Sequence, residues 1–204
     1  MPSATFNRLH HKKRSRFIQE AYKEFSLNAY QGASITNLVK TLEIAKGSVY
    51  QYFDDKEDLY RYLVEELMQQ LNSLLDKTCA YNNEEFFTWY NKLLIVEVRY
   101  FLSFPAHAII LKNVISGIMA IDRSLKHEIK GSIISRLNIA LPDELTNSAI
   151  ARQQLFTAPL QLFDLLTDKL NLARIISADD PIYLDSEELM AACAGWVDKL
   201  KSGL

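Results

Sequence analysis

With 204 residues, 49% of them apolar, and 23 Lys plus Arg against 25 Asp plus Glu, the chain fits one or two compact units with a real core and is no disordered tail. A membrane span is excluded by the longest uncharged stretch, Phe25 to Val39, which is half polar where a spanning helix needs roughly 20 apolar residues. Met1 to His10 has no apolar leader core, and Cys79 and Cys193 are too few and too far apart for a disulfide framework, so a cytoplasmic protein is expected. The net charge of −2 argues at first against a nucleic-acid partner.

Taken in chain order, the predicted elements are all helical. Lys13 to Asn28 carries Phe17, Ile18, Ala21, Tyr22 and Phe25 on one stripe. Ser34 caps a second helix ending near Leu42, and a third runs from about Ala45 to Tyr52. The 57 residues between Gly47 and Pro105 contain no Gly or Pro, and their apolar positions recur at three and four. Asp55 with Asp58, Asn82 with Glu85 and Asp185 with Glu188 place a capping side chain three residues before an acid. With breaks at Pro105, Ile121, Pro142 and Ser177 to Pro181, these signals predict helices over about 56–79, 83–103, 105–119, 122–139, 148–174 and 186–201. The total is about nine helices. The basic run His10 to Arg16 reads as either a disordered cationic tail or an arm that reaches phosphates and the minor groove.

The passage YQGASITNLVKTLEIAKGSVYQYFDDKEDL, Tyr30 to Leu59, has the spacing of a helix-turn-helix, whose second helix fits a major groove about 12 Å wide. If Val49 and Phe53 face inward at a spacing of four, then Lys46, Ser48, Gln51 and Tyr52 point outward. Gly47 then lets the backbone at the tip of that helix approach a phosphate. Tyr50 is left between two roles, an aromatic supporting the three-helix core and a phosphate ligand.

The passage resembles the amino-terminal signature of the TetR family of transcriptional regulators. There a G-T-S start, an apolar helix and a turn are followed by K-G-T-L-Y-x-Y-F and K-E-x-L. The matching residues are Gly32, Ser34, Leu38, Lys46, Gly47, Tyr50, Tyr52, Phe53, Lys56, Glu57 and Leu59. Departures are Ala29 where Gly is usual, Val39 for Ala, Glu43 for the turn Gly, and Ala45 for Ser. The resemblance implies that Tyr50, Tyr52 and Lys56 bind phosphates with help from Ser34, and that Thr36, Lys46, Ser48 and Gln51 face base edges. It also implies an all-α fold: residues 1–54 as a DNA-binding domain and residues 55–204 as a larger effector-binding and dimerisation domain.

The expected function is that of a repressor which binds a near-palindromic DNA operator as a homodimer and is released by a small, largely apolar or aromatic effector. The rival reading is a helical ligand-binding or scaffold dimer that has lost specific DNA binding, prompted by Glu43 and Ala45. An enzyme is not expected: His10, His11, His107 and His127 have no ligand spacing, no Glu-x-x-His pair or nucleophile elbow occurs, and no metal or cofactor is implied.

In the helix over 83–103, Glu97 falls among Phe86, Tyr90, Leu93, Leu94, Tyr100, Phe101 and Phe104. A carboxylate there is paired, protonated or waiting for a cationic or hydrogen-bonding ligand. Tyr90, Leu94, Glu97, Phe101, Phe104, His107 and Phe163 are the candidate effector contacts. Phe156, Leu160, Phe163, Leu189, Cys193, Trp196 and Val197 form the stripes expected to meet a second copy, beside the small residues Ala191, Ala192, Ala194 and Gly195. Charge divides along the same line: Met1 to Phe53 holds eight basic and three acidic residues, and the remainder 15 and 22, so the near-neutral total averages a shorter basic part and a longer acidic one.

Overall fold

The computed structural model describes residues 2–117, 120–168 and 170–203 as twelve helical elements, with no strand among the described residues. They are α1 (Ala4–Asn7), α2 (His11–Gly32), α3 (Ile35–Leu42), α4 (Lys46–Tyr52), α5 (Lys56–Thr78) and α6 (Phe86–Ser103), followed by α7 (Pro105–Ser116), α8 (Ala120–Leu137), α9 (Asp143–Thr146), α10 (Ala149–Thr167), α11 (Leu172–Ala178) and α12 (Ser186–Gly203). All nine expected helices are present, and the three extra ones, α1, α9 and α11, have four, four and seven residues, too short to show a helical period.

The caps explain most boundaries. Ser34 accepts from the Asn37 N–H, Asp55 from Asp58 and Ser148 from Ala151, each filling an orphan donor in a first turn. The cap expected at Asn82 lies instead at Glu85, whose carboxylate accepts from the Thr88 N–H at 2.8 Å, so α6 starts three residues later than predicted. The helix expected over 148–174 is two: α10 ends at Thr167, and Asn171 caps α11 by accepting from Arg174. Pro105 at the first position of α7 turns the chain through 112° after α6. No single described helix is long and apolar enough to cross a membrane.

One core runs from Phe6 to Leu200. Helices α1 to α4 pack on one another at one end, and α2 also lies along α7, so the basic unit is braced directly by the rest of the chain. α2 contains a break at Ala29, which has φ 49° and ψ 179°, a region that a Cβ makes costly by about 1 to 3 kcal/mol. This is the position where the resembled signature has Gly. Ala29→Gly is therefore expected to raise stability by about 1 kcal/mol after the entropy cost of the glycine is subtracted, read as a higher urea midpoint at unchanged slope; an unchanged or lower midpoint would mean that the break carries no strain.

Candidate nucleic-acid interface and effector cavity

Ile35, Leu38, Val39 and Leu42 bury one face of α3, and Val49 with Phe53 bury that of α4 at the expected spacing of four. The turn between them is closed by Glu43 in the left-handed conformation, φ 58°, with the Ile44 N–H donating to the Val39 carbonyl at 3.1 Å. Ala45 precedes α4 without a side-chain cap. Thr36, Lys46, Gly47, Tyr50 and Gln51 are exposed, while Ser34, Ser48 and Tyr52 are half-buried. Among the described residues nothing lies within 4 Å of the place a Gly47 Cβ would occupy, so none of them requires the missing side chain. Tyr50 is 50% exposed and thus takes no part in the core, whereas Tyr52 packs its ring 5.6 Å from Phe6 and 5.7 Å from Phe17.

Two expected contacts have further employment within the fold. Lys56 Nζ donates to the Tyr30 carbonyl at 2.8 Å and the Ala33 carbonyl at 3.2 Å and lies 4.5 Å from the Tyr30 ring. One ammonium proton is left for a phosphate. Ser34 receives the Asn37 N–H on its hydroxyl while its own N–H donates to Glu24 Oε1 at 2.7 Å.

The amino terminus is neither a loose tail nor a free arm. His10 to Arg16 form the cap and first turns of α2, His10 Nδ1 accepting from the Lys12 N–H. Ahead of them Ser3 donates its hydroxyl to the Gln51 carbonyl at 2.6 Å and its N–H to the Tyr52 carbonyl at 2.9 Å, satisfying orphan acceptors at the end of α4. Sequence reasoning missed Ser3 and Phe6, because a four-residue helix with one aromatic has no periodic signal.

In α6, Glu97 is buried, 9% exposed, with no hydrogen bond to its carboxylate among the described residues. Burial pushes its carboxyl up to about 7, against a smaller downward pull from Arg136. Arg136 is itself committed to Asp76 Oδ1 at 2.6 Å and Asn72 Oδ1 at 3.2 Å. Glu97, Tyr90 and Phe101 line a narrow cavity of about 20 Å³ between α5, α6, α7, α8 and α10, walled by Leu71, Leu93, Leu111, Phe156 and Leu160. Tyr90 donates its hydroxyl to the Leu155 carbonyl at 2.8 Å, and Glu97 is the acid among the lining residues.

The other four candidate effector contacts are not at this cavity. Leu94 and Phe163 are fully buried in the core, and Phe104 and His107 line a separate cleft against α2. The expected dimer stripe also turns inward: Phe156, Leu160, Phe163, Leu189, Cys193 and Val197 are buried within a single chain, and Trp196 is half-buried. They close the core of one chain. The exposed face of α12 is Met190, Ala191, Ala194, Gly195 and Asp198, and that of α10 is Ile150, Gln153, Gln161 and Leu165.

Residues 17–63 match the family described as bacterial regulatory proteins, tetR family. Over 52 residues the chain is 35% identical to IcaR, the HTH-type negative transcriptional regulator of the biofilm operon icaADBC in Staphylococcus epidermidis; the match covers 26% of this chain and only 28% of that protein. Over its whole length, and 98% of the other chain, it superposes with a TM-score of 0.79 and 25% identity on a TetR family transcriptional regulator from Chloroflexus aurantiacus. The fold is also that of the transcriptional regulator FadR from Bacillus subtilis, solved with stearoyl-CoA, at a TM-score of 0.61 and 16% identity over 93% of this chain and 98% of that one.

Proposed function

We propose that this protein, a member of the tetR family of bacterial regulatory proteins, is a cytoplasmic repressor that binds a near-palindromic operator as a homodimer and is released by a small, largely apolar or aromatic effector. The observation that carries the reading is the exposure of Thr36, Lys46, Gly47, Tyr50 and Gln51 on the two helices of a helix-turn-helix, α3 and α4. Lys46 suits a guanine edge and Gln51 an adenine edge, with Tyr50, Tyr52, Ser34 and the remaining proton of Lys56 on phosphates. Residues 1–54 are assigned to DNA and 55–204 to effector binding and dimerisation.

The second copy is placed on the outward faces of α10 and α12, where Ala191, Ala194 and Gly195 allow close helix approach about a two-fold axis. The effector is placed in the Glu97 cavity, whose apolar walls suit an apolar body and whose 20 Å³ describes a narrow form that a ligand must widen. FadR, of the same fold, was solved with an acyl thioester.

The test is binding of purified protein to duplex DNA at low and high salt, followed by selection of bound genomic fragments. Affinity should fall steeply with salt. Gln51→Ala should relax preference at one operator position by about 1 to 3 kcal/mol. Lys46→Ala should do so at another. Lys56→Ala is a poor probe, because it also strips the Tyr30 and Ala33 carbonyls of their donor. No binding even at low salt would sink the regulator reading and leave the ligand-binding or scaffold dimer, which the uncapped Ala45 and the acid at Glu43 favour.

A further inference from the structure

A second cleft, of about 550 Å³, opens between α2, α5, the corner joining α6 to α7, and α11 with the segment after it. Its size is that of a drug-like ligand. One wall is aromatic. The His107 ring lies 4.1 Å from that of Tyr22 and is stacked at 16° on Phe104, which is 48% exposed at the mouth. Such a ring left in water is a ready platform for a planar or cationic partner.

The polar side of the cleft is built around Glu66 of α5. Its Oε2 is buried without a hydrogen-bond partner among the described residues, a cost that a donor placed there would relieve. Burial raises its carboxyl above the usual range while Arg14 and Gln70 pull it back. Glu66 also acts electrostatically on both Tyr22 and Tyr100, so it lies beside the aromatic wall. His107 adds no positive charge, since burial holds it down to about 4 and its Nδ1 is engaged with the Tyr100 hydroxyl at 2.8 Å. The ionisable residues facing the cleft are Glu66, Asp179 and Asp180 against Arg14 and Lys23, with His11 at the rim, and Lys23 is already paired with Glu20 at 3.3 Å. The balance is acidic.

We propose that this cleft binds an aromatic organic cation, its ring against Phe104 and His107 and its ammonium on Glu66. The ligand would touch α2 on one side and α7 with α11 on the other, and so bridge the DNA-binding unit and the remainder of the chain. Its effect on operator affinity rests on the regulator reading above; the binding itself does not. The site is separate from the Glu97 cavity and shares no lining residue with it.

Tryptamine and indole-3-acetate, one ring with opposite charges, are suitable probes for calorimetric titration of the full-length protein. Tryptamine is expected to saturate one site per chain at least about tenfold more tightly than indole-3-acetate. Glu66→Gln should abolish that preference and Phe104→Ala, at an exposed ring, should weaken tryptamine without lowering the melting temperature. Glu97→Gln should change neither affinity. Equal affinity of the two probes, no saturation up to about 5 mM tryptamine, or a preference lost in Glu97→Gln rather than Glu66→Gln would each overturn the proposal. If tryptamine binds as expected and duplex DNA is not bound even at low salt, the site stands and the regulator reading falls.

Discussion

Glu97→Gln is expected to stabilise the protein by about 3 kcal/mol at pH 8 and to leave it nearly unchanged at pH 4.5. The sign follows from the direction of the shift. The folded carboxyl is pushed up to about 7 by burial from an ordinary value of 4.5. Below 4.5 the group is protonated in both states and costs nothing extra. Between 4.5 and 7 the unfolded chain releases its proton first, so folding loses stability as pH rises, and above 7 the loss is complete. Glutamine keeps the shape and carries no charge at any pH.

Urea denaturation of both proteins at the two pH values measures the difference directly. His107 has the opposite linkage, its folded value of about 4 penalising protonation as pH falls from 6.5. It is present in both proteins, so the difference between them isolates Glu97. A variant less stable than the parent at pH 8 would reveal a structural ion pair, with Arg136 as the partner to examine. If Glu97 holds the effector, the stabilised variant should bind operator and lose its response to ligand.

Helical periodicity made nine helices legible, and it put Glu97 on the apolar face of α6, where it lies. It also found the inward pair Val49 and Phe53, and with them the outward side of α4. What periodicity cannot say is which neighbour covers an apolar stripe. Leu189, Cys193 and Val197 make a true stripe on α12, and the protein's own core takes it, which moves the proposed contact with a second copy to the exposed small-residue face. The aromatic run from Tyr90 to His107 reads as one lining, yet the 112° turn at Pro105 sends Phe104 and His107 toward α2 and away from Glu97. Lys56 illustrates a further limit, because a basic residue at a phosphate-binding position can also be a structural donor, and nothing in the sequence pairs it with carbonyls 26 and 23 residues earlier. Ala29 was the opposite case: a departure from the resembled pattern marked, in advance, the residue with the strained backbone.

The second large effect is expected at a residue with no sequence signal. Phe6 is fully buried, its ring centroid 5.5 Å from Phe17, 5.6 Å from Tyr52, 4.9 Å from Phe53 and 5.7 Å from Tyr62. Phe6→Ala should cost about 3 to 5 kcal/mol, since four rings held by α2, α5 and the end of α4 cannot all collapse into the space. The loss should not be spread evenly. α4 has seven residues, too few to hold a helix alone, and its last carbonyls are bound by Ser3, three residues ahead of Phe6. Loosening α1 therefore frees the end of the helix that faces DNA in the proposed mode. Hydrogen exchange should register this as loss of protection at the Phe53 amide, bonded to the Val49 carbonyl at 2.9 Å, ahead of the amides of α6. Arg8→Ala, at an exposed neighbour, serves as the control and should stay within about 0.5 kcal/mol. A loss under about 1 kcal/mol for Phe6→Ala, or uniform loss of protection across α4 and α6, would show that the amino-terminal turn does not brace α4.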